Sequence, residues 1–508
     1  MTSPLVLAFG FVTAAYAFLA ALLHFTQDSK EPPVIADSIP FLSPLLGFIL
    51  GMQEFLMKLR NKYNLPIYTL RMPGQRIYIV NSPSLVPPLQ QLIKTVAFIP
   101  IEAQALKGVM GVGPAGNDII GSDKMFEKDS YLSTFVPSIH PALSPGTALN
   151  ALSCAAARSL SESLENISEN GPATVELFSW ARDETFKAIT GSIYGPKNPF
   201  RDPALKKAWF TFEPDILTHM IGVWPSLLAR KSLHAREHVI IPAFEKYFAE
   251  NSHHQGSLLV QCRYEHNTSH GIQGRDIAAT EVGQMIASLN NSMSSTFWMV
   301  YYVFSDPVVL DECRTEVEQL VQLDDNGVQT IDLAKIKSSC PILFSTWQET
   351  LRYMHIGVIA RVVVEDTMLD NKYLLKKGAS VLTATSVQHS DKAAWGPTVS
   401  NFDHRRFVSQ PGEKRKSPGA FRPFGGGTNL CPGRHFITAE ILSLVALLLL
   451  RFDLKPETKN GKWIQPRTEM SVTASMPTPK DEMLVKLVPR GKQKGRVNIS
   501  TSSTGQFY

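Results

Sequence analysis

Cysteine is scarce in this chain of 508 residues, and its five cysteines form no recognisable pattern. Cys154, Cys262, Cys313, Cys340 and Cys431 are dispersed, and none belongs to a CxxC pair. An odd, scattered set argues against a disulfide framework and against a structural zinc site. We expect four of them to be buried apolar thiols. Cys431 is treated separately because of its neighbours.

An excess of charge of one sign is also lacking. The 50 basic residues are nearly balanced by 45 acidic ones, the net charge is +5, and the pI is near 8.8. This balance predicts no nucleic-acid partner. Hydrophobic residues make up 44% and charged residues 19%, which is typical of a chain with a large buried core and excludes global disorder.

The N-terminal segment contains no Lys, Arg, Asp or Glu between Leu5 and Phe25. A helix of this length spans about 30 Å, the hydrocarbon thickness of a bilayer. A cleaved signal peptide is the alternative, but it usually has a basic region before a shorter apolar run. Met1 to Pro4 contains no basic residue. We therefore predict a retained membrane anchor over residues 1–27.

The anchor is followed by a segment with prolines at positions 32, 33, 40 and 44. Because proline restricts φ and resists helix formation, residues 28–47 are predicted to be a stiff hinge. The long stretch from 48 to 490 shows no linker and no repeat, so we assign it to one catalytic domain. Residues 491–508 are predicted to be a polar tail.

Hydrophobic periodicity predicts mostly helices. The longest covers about residues 276–305 and is stopped by Asp306 and Pro307, and a second covers 341–354. Residues 360–369 and 379–386 are rich in β-branched side chains and are typical of strands. A very apolar helix is expected after Cys431.

Residues 421–436 read FRPFGGGTNLCPGRHF and place Cys431 behind three glycines. Consecutive glycines indicate a backbone that something flat approaches closely. The helix that begins beyond the cysteine is expected to stabilise a thiolate through its N-terminal amides and to lower its pKa. These features favour a soft-ligand site for one metal whose other ligands are not protein.

The pattern FxxGxxxCxG, formed by Phe424, Gly427, Cys431 and Gly433, resembles the haem-binding loop of cytochromes P-450. Two further motifs of that family precede it in the expected order. Glu349 and Arg352 form ExxR, with both residues on one helix face. Residues 402–407, FDHRRF, resemble the meander motif. The resemblance predicts that Arg406 completes a structural Glu-Arg-Arg network.

Membership of this superfamily implies a mainly α fold with a small β region, behind an N-terminal transmembrane helix. It implies haem b with an axial thiolate from Cys431, and NADPH electrons delivered through NADPH-cytochrome P-450 reductase. The reaction it implies is insertion of one oxygen atom from O2 into a lipophilic substrate. It further implies a single-pass protein of the endoplasmic reticulum membrane with a cytosolic catalytic domain.

The central helix departs from the family at the acid and alcohol positions, where Asn290, Asn291 and Ser292 stand. Adjacent asparagines are unfavourable inside a helix, so we predict a catalytic hydrogen-bonding role for these three residues. The segment is similar to the branch of sterol 7α-hydroxylases and prostacyclin synthase, which suggests a sterol- or terpenoid-like biosynthetic substrate. A reductase-independent isomerase or dehydratase of a peroxide remains the alternative, and a non-catalytic haem-binding protein a remote one.

The contacts to the haem propionates also differ from the family pattern. Asn429 stands where arginine or histidine is common, and residues 131–160 contain no tryptophan. The resemblance assigns Arg361 to a propionate, and His389 or His140 are open alternatives for a further contact. A basic surface before and beside the cysteine is expected to dock the reductase. Its residues are Arg405, Lys414, Arg415, Lys416 and Arg434.

Overall fold

The computed structural model describes residues 4–35, 39–323, 329–409, 419–471, 473–490 and 498–500. The described residues are mainly helical with small sheets, which confirms the predicted fold class. The helices are α1 Pro4–Phe25, α2 Leu42–Tyr63, α3 Val86–Gln91, α4 Ile99–Val109, α5 Pro114–Ile120, α6 Tyr131–Leu143, α7 Thr147–Asn170, α8 Leu177–Tyr194, α9 Pro203–Phe212, α10 Ile216–Ile221, α11 Pro225–Leu228, α12 Arg230–Ala235, α13 Ile241–Ala249, α14 Leu258–Ser269, α15 Arg275–Phe304, α16 Pro307–Gln319, α17 Ile336–Ser339, α18 Pro341–Met354, α19 Thr385–His389, α20 Lys392–Trp395 and α21 Arg434–Arg451.

The strands are short and belong to several small sheets. They are β1 Ile67–Met72, β2 Gln75–Val80, β3 Val96–Ala97, β4 Ala173–Glu176, β5 Val321–Leu323, β6 Gln329–Asp332, β7 Val358–Val363, β8 Thr367–Leu369, β9 Tyr373–Leu375, β10 Ser380–Ala384, β11 Phe452–Pro456, β12 Thr468–Glu469, β13 Thr478–Pro479, β14 Leu484–Pro489 and β15 Asn498–Ser500.

The chain divides into two compact units. The first is drawn from Met1–Ile101, His355–Ser400 and Lys414–Leu430, and the second from Glu102–Met354, Asn401–Glu413 and Cys431–Tyr508. The predicted single catalytic domain, residues 48–490, therefore contributes to both units, and its boundaries remain a prediction.

The first unit is built on a five-stranded sheet in the order β1-β2-β10-β7-β3. Only the β2–β10 pair is parallel. Buried side chains such as Tyr78 and Val381 form a hydrophobic cluster on this sheet with Leu369 and Leu375 of the β8–β9 hairpin. The two segments predicted as strands from β-branched residues correspond to β7, β8 and β10, so that expectation is confirmed.

Helices α1 and α2 both belong to the first unit. Between Phe9 and Phe25 most apolar side chains of α1 are uncovered, with Phe11 76% and Phe25 84% exposed, whereas Leu23 is buried. Helix α2 starts at Leu42, so residues 42–47 of the predicted hinge are helical. Pro44 is tolerated there because the first turn of a helix has no use for its missing N–H. By length and composition α2 could also cross a membrane, although its Leu56 and Leu59 are buried.

Helix α15 is the central element of the second unit. It has 30 residues and is about 45 Å long. Its ends lie within one residue of the prediction. It stops because the side chain of Asp306 accepts the N–H of Val308 at 2.8 Å, with Pro307 at the first position of α16. The capping residue thus starts a new helix where the old one would continue.

Helix α21 also lies in the second unit and is buried almost throughout, as its leucine run predicts. The last carbonyls of such a helix need donors, because no later turn satisfies them. Arg314 of α16 donates to the carbonyls of Leu449 and Phe452, both at 3.1 Å. Residues 100–125 and 210–230 contain the short helices α4, α5, α10 and α11. Pro114 and Pro225 start two of them, since proline suits the first helical turn.

Candidate functional site

Cys431 lies just before α21, which begins at Arg434, in the second unit. Its side chain is partly exposed, and Nη1 of Arg434 donates to its carbonyl at 2.9 Å. Loss of hydration raises the pKa of the Cys431 thiol, and the N–H groups of Gly433 and Arg434 and the Arg434 charge only reduce this rise. The predicted lowering of the pKa by the backbone amides is present, but burial has the larger effect and the pKa is raised overall. A coordinated cation is what deprotonates such a thiol.

The three glycines before the cysteine, in the first unit, are required for different reasons. Gly425 and Gly427 have φ of +79° and +63°, which disfavour any side chain. A Cβ on Gly426 would lie 2.6 Å from Nε2 of Gln90. The glycine run is thus a tight turn packed against protein, and the structure does not test the assignment of Gly427, Gly433 and the half-buried Phe424 to a cofactor.

Two arginines of the first unit are buried without an acidic partner among the described residues. Arg361, on β7, is 3% exposed and Arg422 is 5% exposed. Nη1 of Arg361 makes only a long 3.5 Å contact to the carbonyl of Val96, and Nε of Arg422 has no acceptor. Burial lowers the pKa of both, that of Arg422 to about 10, and repulsion from Arg361 contributes.

Buried charges in proteins are normally paired, because an isolated ion loses its hydration without compensation. Arg361 and Arg422 therefore fit an anionic group with two carboxylates, and the propionates of haem b have this chemistry. Arg422 was not predicted from the sequence. Its only signal was a basic residue within an otherwise apolar and glycine-rich loop.

The two histidines considered for the same role have other partners. Nε2 of His389 accepts the backbone N–H of Arg422 at 3.1 Å, so this buried histidine positions the arginine. His140 is exposed and bonds the hydroxyl of Ser144. Asn429 is half-buried in a short helical turn, Gly427–Asn429.

The predicted Glu-Arg-Arg network is confirmed. Glu349 is fully buried on α18, with Nε of Arg352 2.7 Å from one carboxylate oxygen and Nε of Arg406 3.0 Å from the other. The backbone N–H of Asp403 adds a third donor at 3.0 Å. Both arginines also donate to the carbonyl of Asn401. The network therefore ties α18 to residues 401–406 and has a structural role.

Helix α15 is mostly buried, but a stripe of side chains along one of its faces stays partly exposed. Between Ile277 and Phe304 the residues that are not fully buried are Gln284, Ile286, Ala287, Ser288 and Asn291. Residues 284, 287, 288 and 291 follow the i, i+3, i+4, i+7 spacing of a single helix face. None of their side chains is ionisable. This stripe, which the sequence analysis did not identify, contains only one of the three predicted catalytic residues.

The predicted catalytic residues Asn290, Asn291 and Ser292 have different environments. Asn290 is buried, and its Oδ1 has no hydrogen-bond partner. The hydroxyl of Ser292 donates to the carbonyl of Ser288 at 2.8 Å, within the helix. Asn291 accepts the backbone N–H of Ser475 at 2.6 Å. Their catalytic role remains a prediction, and Asn291 is the one that reaches the uncovered stripe.

The basic residues predicted to dock a reductase are partly neutralised. Arg405 pairs with Glu312 at 2.7 Å, and Lys414, Arg415 and Lys416 lie outside the described residues. Beside the cysteine, burial and the nearby charges of Arg434 and Lys337 of α17 lower the pKa of His435, which favours its neutral imidazole. Lys337 therefore joins Arg434 in a positive pair in the second unit, and Lys337 was not predicted from the sequence.

Comparison with known proteins places this chain in a family. A family model described as cytochrome P-450 matches residues 214–485. Cytochrome P-450 monooxygenase nodJ of Hypoxylon pulicicidum is 32% identical over 480 residues, covering 92% of this chain and 91% of that protein. A cytochrome P-450 monooxygenase of Gibberella zeae is 28% identical over 504 residues, covering 96% and 93%. The 25-hydroxycholesterol 7-alpha-hydroxylase of Rattus norvegicus is 28% identical over 287 residues, covering 53% and 68%. The chain therefore belongs to the cytochrome P-450 family of haem-thiolate proteins and is an oxidoreductase of the monooxygenase type.

Proposed function

We propose that this monooxygenase inserts one oxygen atom from O2 into a lipophilic, sterol- or terpenoid-like biosynthetic substrate. The observation that carries the substrate class is the uncovered stripe of α15, which is neutral and includes the small, exposed Ala287. Such a surface favours an apolar molecule over an ionic one. The rat relative, named for action on a cholesterol derivative, supports the sterol-like class.

The residues of this chain have distinct proposed roles around haem b. When bound, the haem would supply the oxygen-activating iron, and Cys431 would provide the thiolate that holds it. Gly433 leaves room beside the sulfur, and Phe424 and Gly427 shape the loop that precedes it. Arg361 holds a propionate, and we add Arg422 as its companion.

We further propose a single-pass protein of the endoplasmic reticulum membrane with a cytosolic catalytic domain. The largely uncovered apolar surface of α1 between Phe9 and Phe25 supports this topology, because such a surface suits a bilayer. Electrons from NADPH are proposed to arrive through an acidic reductase surface. The positive pair of Lys337 and Arg434 supports this docking, because Arg434 contacts the Cys431 carbonyl and Lys337 lies near His435.

The test uses host cells fed a library of sterols and terpenoids, with and without a co-expressed reductase, and mass spectrometry of the products. A product one oxygen heavier that requires the reductase is expected, and a Cys431→Ser variant should not form it. An isobaric or dehydrated product that forms equally without reductase would overturn the proposal. That result would favour the isomerase or dehydratase, which the absence of ionisable groups on the stripe also fits.

A further inference from the structure

The side chain of Asn291 has one amide orientation, because its partner is a backbone N–H. Ser475 donates to Oδ1 at 2.6 Å, and a backbone N–H can only donate, so the oxygen of the amide must face it. The NH2 group consequently points away from Ser475. No acceptor is recorded for this Nδ2 among the described residues, and Asn291 is not fully buried.

The segment around Ser475 is itself fixed to α15. Two helical turns beyond Asn291, Nε1 of Trp298 donates to the carbonyl of Pro477 at 2.8 Å. Between the two anchors, Met476 is 1% exposed. Residues seven apart lie on one helix face, so both anchors hold residues 475–477 against the same side of α15. Asn291 is thereby held more rigidly than a free side chain.

The other residues of the stripe offer no hydrogen-bond donor with a fixed direction. The hydroxyl of Ser288 donates to the carbonyl of Gln284 at 2.8 Å, and Ala287 has no polar atom. The side-chain amide of Gln284 makes no hydrogen bond with the described residues through its oxygen or its nitrogen. The orientation of this amide is therefore not set. Asn291 is therefore the residue of the stripe with a donor of determined direction.

We propose that Asn291 is a specificity-determining residue whose Nδ2 donates a hydrogen bond to a hydroxyl, ether or carbonyl oxygen of the lipid substrate. Ser475 is the positioning residue that keeps the donor side of the amide toward the substrate. An amide neither titrates in the physiological range nor relays protons, so the interaction is neutral and independent of pH. The inference rests on the lipophilic substrate class proposed above and names the polar group that the substrate carries.

The test measures equilibrium binding to the haem-loaded enzyme by optical titration. The first probes are 5α-androstane and its 3-ketone and 17-ketone, and the second are 4-phenylimidazole and its ortho, meta and para acetyl derivatives. Imidazoles bind through the iron and do not depend on the sterol assumption. The wild-type enzyme is expected to bind at least one ketone about tenfold more tightly than its parent, the contribution of one hydrogen bond.

Asn291→Asp is the decisive variant, because Oδ1 can still accept from Ser475 while the donor becomes an acceptor. The ketone preference should vanish at neutral pH and return as the carboxyl is protonated at lower pH. A residue with only a structural role would show no such pH profile. Asn291→Leu should lose the preference at every pH, and Gln284→Glu, the matched amide-to-acid control, should keep it. Thermal unfolding of each variant verifies folding.

The outcomes separate the two proposals. If the enzyme prefers the acetyl imidazoles over their parent but binds no steroid, the sterol-like class is refuted and the role of Asn291 is supported. Steroid binding with no ketone preference in either probe set would refute the role of Asn291 and leave the substrate class intact. An Asn291→Asp variant that keeps the preference at neutral pH would also overturn the inference.

Discussion

Three side chains are buried without a partner of opposite charge among the described residues: Arg361, Arg422 and Glu440. The arginines repel each other and fit an external anion. Glu440, on α21, has no hydrogen bond to either carboxylate oxygen, and burial raises its pKa to about 8. An arginine cannot neutralise itself at ordinary pH, whereas a glutamic acid can. The first two residues therefore indicate a ligand, and the third indicates a pH effect.

We expect Arg422→Gln to weaken haem retention by about 1.5–3 kcal/mol, the contribution of a hydrogen bond to a charged group. Transfer of haem to excess apomyoglobin should accelerate roughly tenfold or more. Arg361→Gln should act in the same direction. The exposed Arg405, paired with Glu312, provides the control Arg405→Gln, which should leave the transfer rate unchanged. Equal rates for Arg422→Gln and the wild type would contradict the assignment.

Glu440→Gln should make stability less dependent on pH. The folded pKa of about 8 lies above the ordinary value of 4.5, so the folded state binds more protons than the unfolded state between these values. Wild-type stability therefore falls as pH rises from about 4.5 to 8, and the variant should gain stability over the wild type across this window. Thermal unfolding of both proteins at several pH values measures this difference in stability.

The control for this experiment is Glu281, which is buried but paired with Arg263 at 3.1 Å and bonded to the Tyr194 hydroxyl at 2.6 Å. Glu281→Gln removes the partner of a buried cation and should destabilise the protein. A Glu440→Gln variant whose stability difference from the wild type stays constant between pH 5 and 8 would refute the prediction.

At the scale of elements, long-range polar contacts decide how helices end and which segments they hold. Arg314 donates a hydrogen bond to a carbonyl in the last turn of α21, and Asp306 caps the start of α16 where α15 ends. Glu349 joins α18, through Arg406, to a segment 57 residues later in the sequence. Each contact is a small number of hydrogen bonds, but the buried ones are costly to break because their partners stay unsatisfied.

Glu349→Gln should destabilise the protein by about 3–5 kcal/mol, since Arg352 and Arg406 would be left buried without a counter-charge. A lower unfolding midpoint in urea measures this loss. Glu312→Gln is the matched control, because Glu312 also pairs with an arginine and a histidine but is partly exposed. It should cost no more than about 1 kcal/mol. Equal losses for the two variants would contradict the buried, structural role of Glu349.

At the scale of the whole molecule, α1 has an apolar surface that the protein does not cover. A single helix of this kind in water would expose its phenylalanines at a cost, which insertion into a bilayer removes. Deletion of residues 1–27 should therefore move most of the protein from the membrane pellet to the supernatant on ultracentrifugation. Haem incorporation should persist, because residues 48–490 carry the motifs.

Removal of residues 501–508, which keeps β15 and its pairing with β6, is the control and should leave the membrane fraction unchanged. A deletion of residues 1–27 that stays fully in the pellet after a high-salt wash would contradict the anchor. It would direct attention to α2, which could also cross a membrane by length and composition.

Local sequence patterns predicted several features closely, because their causes lie within a few residues. A mostly apolar helical pattern and the Asp306-Pro307 stop set α15, and an i, i+3 spacing brought Glu349 to Arg352. The partner Arg406 came from resemblance and not from spacing. The position of Arg422, the stripe of α15 and the bond from Ser475 to Asn291 were not predicted, since each depends on residues far apart in the chain.

By itself the sequence determined the family, the mainly helical fold class, the candidate ligand Cys431 and the apolar character of residues 5–25. These follow from motifs and hydrophobic patterns that are local and additive. Only the tertiary structure decided which charges are buried without partners, which face of α15 is uncovered and which way the Asn291 amide points. Burial and hydrogen-bond direction depend on what packs against a side chain, and that is set by segments distant in sequence.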